Sequence, residues 1–157
     1  MIKKPVILGV ISDTHGLLRP EAIEALRGSE RILHAGDVGA PEMLEALVEI
    51  APVTAIRGNV DTDPWARALP ATEVIEVSGV SIYMLHDLGQ LKLKPEAAGF
   101  RVVVYGHSHQ PKVEEKSGVL YFNPGSAGPR RFNLPVSLGK LLIGEREVRA
   151  ELIELKT

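Results

Sequence analysis

The sequence predicts an α/β fold in which two packed sheets are flanked by helices. Three observations predict it. Apolar, β-branched runs alternate with helix-patterned stretches from Pro5 to Asn59, two hairpin signals follow, and two more strand-length segments end the chain. Alternating strand and helix is the pattern of a parallel sheet with right-handed crossovers, and hairpins add antiparallel strands.

The elements follow in order. Residues 5–11 form a continuous apolar run, read as a strand buried on both faces, which ends in the polar Ser12-Asp13-Thr14-His15-Gly16. Residues 19–27 carry Ile23 and Leu26 at helical spacing. Residues 31–35 are a second strand, closed by Gly36-Asp37. Residues 41–50 are a second helix, with Pro41 suited to its first turn because no hydrogen bond is lost there. Residues 52–56 are a third strand, closed by Arg57-Gly58-Asn59.

After a turn-rich stretch at 61–70, residues 72–77 and 80–86 flank Ser78-Gly79 as a hairpin. A short helix is expected between Gly89 and Ala98, limited by Pro95. The apolar segment 101–105 ends at Gly106-His107, and residues 112–116 and 119–122 flank Ser117-Gly118 as a second hairpin. Strands at 136–143 and 148–155, turning at 144–146, complete a single expected domain spanning 1–157.

Composition narrows the function. Eighteen basic against twenty acidic residues give a net charge of −2, which offers no general attraction to nucleic acid or anionic membranes. The absence of cysteine excludes disulfides, thiolate metal sites and cysteine nucleophiles. The first ten residues lack the long apolar core of a signal peptide and read as the start of a strand, and no apolar stretch reaches membrane-spanning length. A cytoplasmic location is expected.

Five strand ends finish in candidate metal ligands. They are Asp13 and His15, Asp37, Asn59, His86, and His107 with His109. In an extended segment residues i and i+2 point the same way, so Asp13 and His15 are expected to reach one ion. His107 and His109 form another such pair. Glycines precede Asp37, Asn59 and His107, and are expected to let the backbone turn tightly and approach an ion or a phosphate closely. Singly, each motif has a plain alternative as a turn or a solvated polar pair. Together, seven oxygen and nitrogen ligands exceed one tetrahedral site and suit two ions sharing a carboxylate, a device that clamps a phosphate and activates water.

The set Asp13-x-His15, Gly36-Asp37, Gly58-Asn59-x-Asp61, His86 and Gly106-His107-x-His109 resembles the calcineurin-like metallophosphoesterase superfamily. The chain's length, Ser12-Asp13-Thr14-His15-Gly16 and Asn123-Pro124-Gly125-Ser126 are similar to its small prokaryotic, YfcE-like phosphodiesterase branch. The resemblance implies a four-layer αββα sandwich of two mixed β-sheets. It implies that Asp13, His15 and His109 hold one metal, that Asn59, His86 and His107 hold the other, and that Asp37 bridges them. Asp37, Asn59 and His86 are then catalytic as well as ligating. Two divalent ions are implied, Mn²⁺ first and Ni²⁺, Fe or Zn²⁺ as further occupants, with a metal-bridging hydroxide attacking the phosphorus of a small organic phosphodiester.

One position departs from that pattern. Many relatives carry a histidine after the ligating Asn, where it protonates the leaving group, and Val60 stands there. A good leaving group, a water or another residue such as His34 would have to compensate. His34 is read instead as a buried structural histidine. Asp61 is read as orienting a histidine ligand or as a turn carboxylate, and Asn123 to Ser126 as touching phosphate or bracing ligands. Arg57, Arg130 and Arg131 are read first as solvated or salt-bridged and otherwise as phosphate contacts, and Trp65 as a substrate-facing or subunit contact. The rival functions are a phosphomonoesterase on the same site, a non-catalytic Vps29-like scaffold and a nuclease, the last disfavoured by Val60 and the mild acidity. The expected partner is a small phosphorylated substrate, with no membrane and no nucleic acid, and a homodimer is the expected assembly.

Overall fold

A computed structural model describes residues 4–157; residues 1–3, the first part of the expected N-terminal strand segment, lie outside the described residues. Strands β1 (Val6–Ile11), β2 (Arg31–His34) and β3 (Val53–Ala55) are parallel neighbours, joined by helices α1 (Pro20–Leu26) and α2 (Pro41–Val48). Then come β4 (Thr72–Val77), β5 (Val80–Leu85), β6 (Val102–Val104), β7 (Lys112–Lys116) and β8 (Val119–Asn123), in a second sheet ordered β4-β5-β6-β8-β7. Finally β9 (Ser137–Gly144) returns antiparallel to β1, and β10 (Glu147–Glu154) pairs with it, so the first sheet reads β10-β9-β1-β2-β3.

Both sheets are mixed. In the second, the β4-β5 and β7-β8 hairpins are antiparallel, whereas β5, β6 and β8 run parallel. The sheets pack face to face through Leu8, Val10 and Leu33 on one side and Ile82, Met84, Val104 and Phe122 on the other, all fully buried. The outer face of the first sheet presents Ile11 and Ile32 to Ala22 and Leu26 of α1 and Leu47 of α2. This alternation of faces along β1 is what a strand buried on both sides requires.

The outer face of the second sheet carries Tyr83, Leu85, Val103 and Tyr105, and is covered thinly by Leu88 and Leu91 around a 3₁₀ turn (Leu88–Gln90). The result is the expected αββα sandwich with one slender outer layer. Helix α3 (Pro95–Ala98) is a single turn, and Pro95 opens it rather than limiting it. At the first helical position proline's missing N–H costs nothing and its φ is already helical. The turn-rich stretch before β4 contains a 3₁₀ helix (Pro64–Ala68) with Trp65 half-buried.

The topology puts the ends of β1, β2, β3, β5 and β6 on one edge of the sandwich. The loops leaving those ends remain tied to one another. Asp13 N–H donates to the Gly36 carbonyl (3.0 Å), His15 N–H to the Asp37 carbonyl (2.9 Å) and Gly106 N–H to the His86 carbonyl (2.9 Å). One further bond crosses between the sheets, from His107 N–H to Asp13 Oδ2 (3.1 Å).

Candidate metal centre

The loops bring Asp13, His15, Asp37, His86 and His109 together. Asp13, His15 and His109 form one group whose donor atoms lie close enough to hold an ion, and Asp13, Asp37 and His86 form a second. Asp13 belongs to both. Its Oδ1 is 3.4 Å from His109 Nε2 and 3.8 Å from both His15 Nε2 and His86 Nε2. Asp37 Oδ2 also faces both groups, 3.6 Å from His15 Nε2 and 3.2 Å from His86 Nε2.

Asn59 and His107 stand at the open side of the second group. His107 Nδ1 is 3.2 Å from Asn59 Oδ1, and the His107 and His86 rings meet edge-on at 5.3 Å. The adjacent pair His107 and His109 therefore does not serve one point: His109 turns to Asp13 and His15, and His107 to His86 and Asn59.

The local geometry differs from the extended segments expected. Asp13, His15, Asp37, His107 and His109 all have positive φ, between 45° and 73°. Side-chain types other than glycine adopt this left-handed region at a cost, with Asp and His among the more tolerant. Five such residues in one cluster aim side chains inward from sharply turning loops, where a continued strand would carry them past the centre. Strain of this kind persists only where surrounding structure over-determines it.

Of the three glycines, Gly36 makes the expected tight turn, with a φ of 103°, and Gly58 and Gly106 make room for neighbouring loops. A Cβ on Gly58 would lie 2.1 Å from Asp37 Oδ1, and one on Gly106 would lie 2.2 Å from Ser12 Oγ and 2.6 Å from Asp13 Oδ2. Their task is to let the ligand loops interlock with one another.

The residues fit a divalent cation by their unmet hydrogen bonding. Asp13 Oδ2 accepts from Ser12 Oγ (2.7 Å) and His107 N–H, but the buried Oδ1 has no hydrogen-bond partner. His86 Nδ1 donates to the Ala35 carbonyl (2.7 Å), which can only accept. That bond fixes the tautomer and leaves the Nε2 lone pair free, and the buried Nε2 has no partner either. Unpartnered buried polar atoms are uncommon in folded proteins. Here two of them face the same small space. The 3.3 Å between His15 Nε2 and His109 Nε2 matches two nitrogens each about 2.1 Å from one ion, which lie roughly 3.0–3.4 Å apart.

Electrostatics agree. Burial works against ionising Asp13, yet contacts with His109, His15, His86 and Ser12 outweigh it and hold the carboxyl well below the usual carboxylate range. Burial likewise opposes ionisation of Asp37, and His86 and the Val60 amide again prevail, lowering it. In return Asp13 raises His15, and Asp37 with Asp13 raises His86 despite its burial. The cluster favours positive charge at its centre, whether protons or a divalent ion.

Neighbouring residues hold the cluster in place. His34 is fully buried: its Nδ1 accepts from Gly36 N–H (3.1 Å), and its Nε2 lies 3.0 Å from Thr14 Oγ1, which donates to the Val38 carbonyl. Burial pushes it down to about 4. With both ring nitrogens engaged, it is a structural histidine with no proton to offer a leaving group. Asp61 orients no histidine. Its buried carboxylate accepts from the amides of Val38 (3.0 Å), Gly39 (3.0 Å) and Gly58 (2.8 Å), clamping the loops of Asp37 and Asn59 together.

Asn123 and Ser126 brace as well. Asn123 Nδ2 donates to the Gly106 carbonyl and Ser108 Oγ, and Ser126 Oγ donates to the Asp13 carbonyl (2.8 Å). Arg131 is near enough for its charge to oppose protonation of His15, whereas Arg130 reaches Thr157. Val60 contributes its backbone, donating to Asp37 Oδ1 (3.0 Å), and its side chain is exposed.

Two residues escaped the sequence reading. Ser12 holds Asp13 directly. Asp87 carries an oxygen 4.0 Å from His107 Nε2 while its other oxygen accepts from Gly89 N–H, an Asx turn whose Asp-x-Gly spacing is a readable signal.

The chain as a whole is similar to known proteins. The model of the calcineurin-like phosphoesterase superfamily domain matches residues 6–144. A probable metallophosphoesterase of Methanothermobacter thermautotrophicus is 34% identical, over 94% of this chain and 92% of its own length. Phosphodiesterase YfcE of Escherichia coli K12 is 28% identical, over 83% of this chain and 84% of its own. Among solved structures, Vps29 of Entamoeba histolytica complexed with Zn²⁺ superposes with a TM-score of 0.76 at 22% identity, covering 94% of this chain and 98% of that one. With a match spanning nearly all ten strands and a curated relative alike from end to end, the chain belongs to the calcineurin-like phosphoesterase superfamily.

Proposed function

We propose that this chain is a metal-dependent phosphodiesterase that hydrolyses small organic phosphodiesters at a dinuclear centre. Asp13, His15 and His109 hold one ion, Asn59, His86 and His107 hold the other, and Asp37 lies between them. The observation that carries the reading is the pair of buried, unpartnered atoms, Asp13 Oδ1 and His86 Nε2, facing each other within a cluster that favours positive charge. The carboxylate, amide and imidazole donors suit Mn²⁺, and imidazole also suits Zn²⁺, Ni²⁺ and iron.

When bound, two such ions neutralise a phosphoryl group and lower the pKa of a coordinated water. The chain's own residues do the rest. The Ala35 carbonyl holds His86 in the tautomer that offers Nε2. Ser12 and the His107 amide keep Asp13 Oδ2 occupied so that Oδ1 faces inward. Asp61 clamps the Asp37 loop to the Asn59 loop, which sets the separation of the two halves. Without a histidine at Val60, and with His34 sealed, no imidazole of this kind protonates the leaving group. That favours diesters with good leaving groups over monoesters, whose poorer leaving groups gain most from an acid.

The likeness to Vps29, at 22% identity, supports a common fold and carries no scaffold role to this chain. Paired assays on a model diester and the matching monoester, with Mn²⁺ restored after chelation, test the proposal. Faster diester turnover is expected. Turnover of neither, with metal bound, would overturn it.

A further inference from the structure

Beside the second half of the cluster lies a cavity of about 310 Å³. Asn59, His86 and His107 belong to its lining, so it opens directly onto the atoms proposed to hold the second ion. Ala71, Tyr83 and Leu85 also line it. Tyr83 and Leu85 alternate on the outer face of β5, and β5 then runs straight into His86. The Tyr83 ring is already held against Phe100, with centroids 5.1 Å apart, so it is pre-organised as a wall.

We propose that this cavity binds one ester substituent of the substrate, and that the substituent is a neutral, apolar group about the size of one ring. The inference rests on the phosphodiesterase reading above and names its substrate class. Size supports it: an apolar cavity of about 150 Å³ accommodates benzene, so this one takes a single ring with its phosphoryl group and no run of nucleotides. Charge supports it as well. Of the two charged lining residues, Asp87 faces His107 and accepts from the Gly89 amide, and Arg57 is available to the phosphoryl group. Apart from the proposed ligands, that leaves the neutral Thr72 and Gln90 as polar lining and no charge to select an ionised substituent. Arg57 is anchored through a hydrogen bond to the Leu69 carbonyl and has no carboxylate partner among the described residues, so its remaining N–H groups are free for a phosphoryl oxygen. The missing histidine at Val60 points the same way, because an aryl-type alcohol leaves without protonation more readily than an alkyl one.

Calorimetric titration of the Mn²⁺-loaded protein with phenylphosphonate and methylphosphonate tests this. Phenylphosphonate is expected to bind at least about tenfold more tightly, from the apolar area its ring buries. Tyr83→Ala, which removes the wall, is expected to lower that ratio severalfold. Ala71→Phe, which fills the cavity from an exposed position, provides the same test should Tyr83→Ala fail to fold. A fall in the ratio in either variant supports the assignment. Equal affinities in the native protein, or a ratio unchanged in both folded variants, overturn it while leaving diester hydrolysis standing. Binding of neither phosphonate, together with no diester turnover, overturns the functional reading and this inference with it.

Discussion

The two halves of the cluster are built to different standards. In the half made by Asp13, His15 and His109, two of the three residues are almost completely buried, and the Asp13 backbone is held at both ends, its N–H by the Gly36 carbonyl and its carbonyl by Ser126 Oγ. In the half made by Asn59, His86 and His107, only His86 is buried and locked in one tautomer; the His107 side chain is 46% exposed and Asn59 is exposed beside the cavity. The lesson is a division of labour. A closed, pre-organised half suits an ion that stays, and an open half suits an ion whose coordination is shared with water and substrate.

The sharpest way to break this comparison is to remove the carboxylate that lies between the halves. Asp37→Ala is expected to lower kcat/KM on a model diester by on the order of 10³-fold or more, with bound metal lost and the circular dichroism spectrum retained. Activity within tenfold of the native protein would contradict a shared carboxylate. Next comes the asymmetry. His109→Ala should weaken the tighter metal site by roughly 100-fold, whereas His107→Ala should leave one ion firmly bound and lose only the second; metal analysis after gel filtration separates the two outcomes. Equal losses would erase the distinction between the halves.

A third change strikes the clamp between the halves. Asp61→Ala leaves three amide donors without their acceptor and is expected to cost about 3 kcal/mol, lowering Tm by roughly 6–12 °C in a thermal melt. A shift under 2 °C would mean that Asp61 is no clamp. The smallest effect concerns His34. Burial holds it at about 4 in the folded protein against 6.5 when exposed, so the unfolded chain takes up the extra proton first. Its stabilising contribution is full above pH 6.5 and is lost as the pH falls towards 4, amounting to ~1 kcal/mol by about pH 5.5. The acid limb of stability should therefore be shallower in His34→Gln, and an unchanged slope would contradict a neutral buried imidazole.

Most of the architecture was legible because its signals are local. The unbroken apolar runs leading to Ser12 and Tyr105 mark strands buried on both faces, and Ser78-Gly79 and Ser117-Gly118 mark hairpins that lie where expected. The return of β9 and β10 to β1 was not legible, since register between distant segments leaves no mark in either one. Of the candidate site, the sequence named the five residues that the structure gathers, Asp13, His15, Asp37, His86 and His109, and missed their local geometry. The same-side rule for i and i+2 assumes extended backbone, and the left-handed turns at Asp13, His15, His107 and His109 break it. Those turns depend on glycines such as Gly58 and Gly106 making room for a loop from elsewhere in the chain. Asp61 was legible only in part: its turn bond to the Gly58 amide is local, whereas its amide partners at Val38 and Gly39 come from another strand's loop.

The central claim is that Asp37 separates two ions, one in each half. Anomalous diffraction from crystals of the Mn²⁺-loaded protein measures this directly. Two peaks are expected about 3.5–4 Å apart, one by His15 and His109 and one by His86 and His107, with the Asp37 carboxylate touching both. A single peak, or a pair that Asp37 does not join, would contradict it.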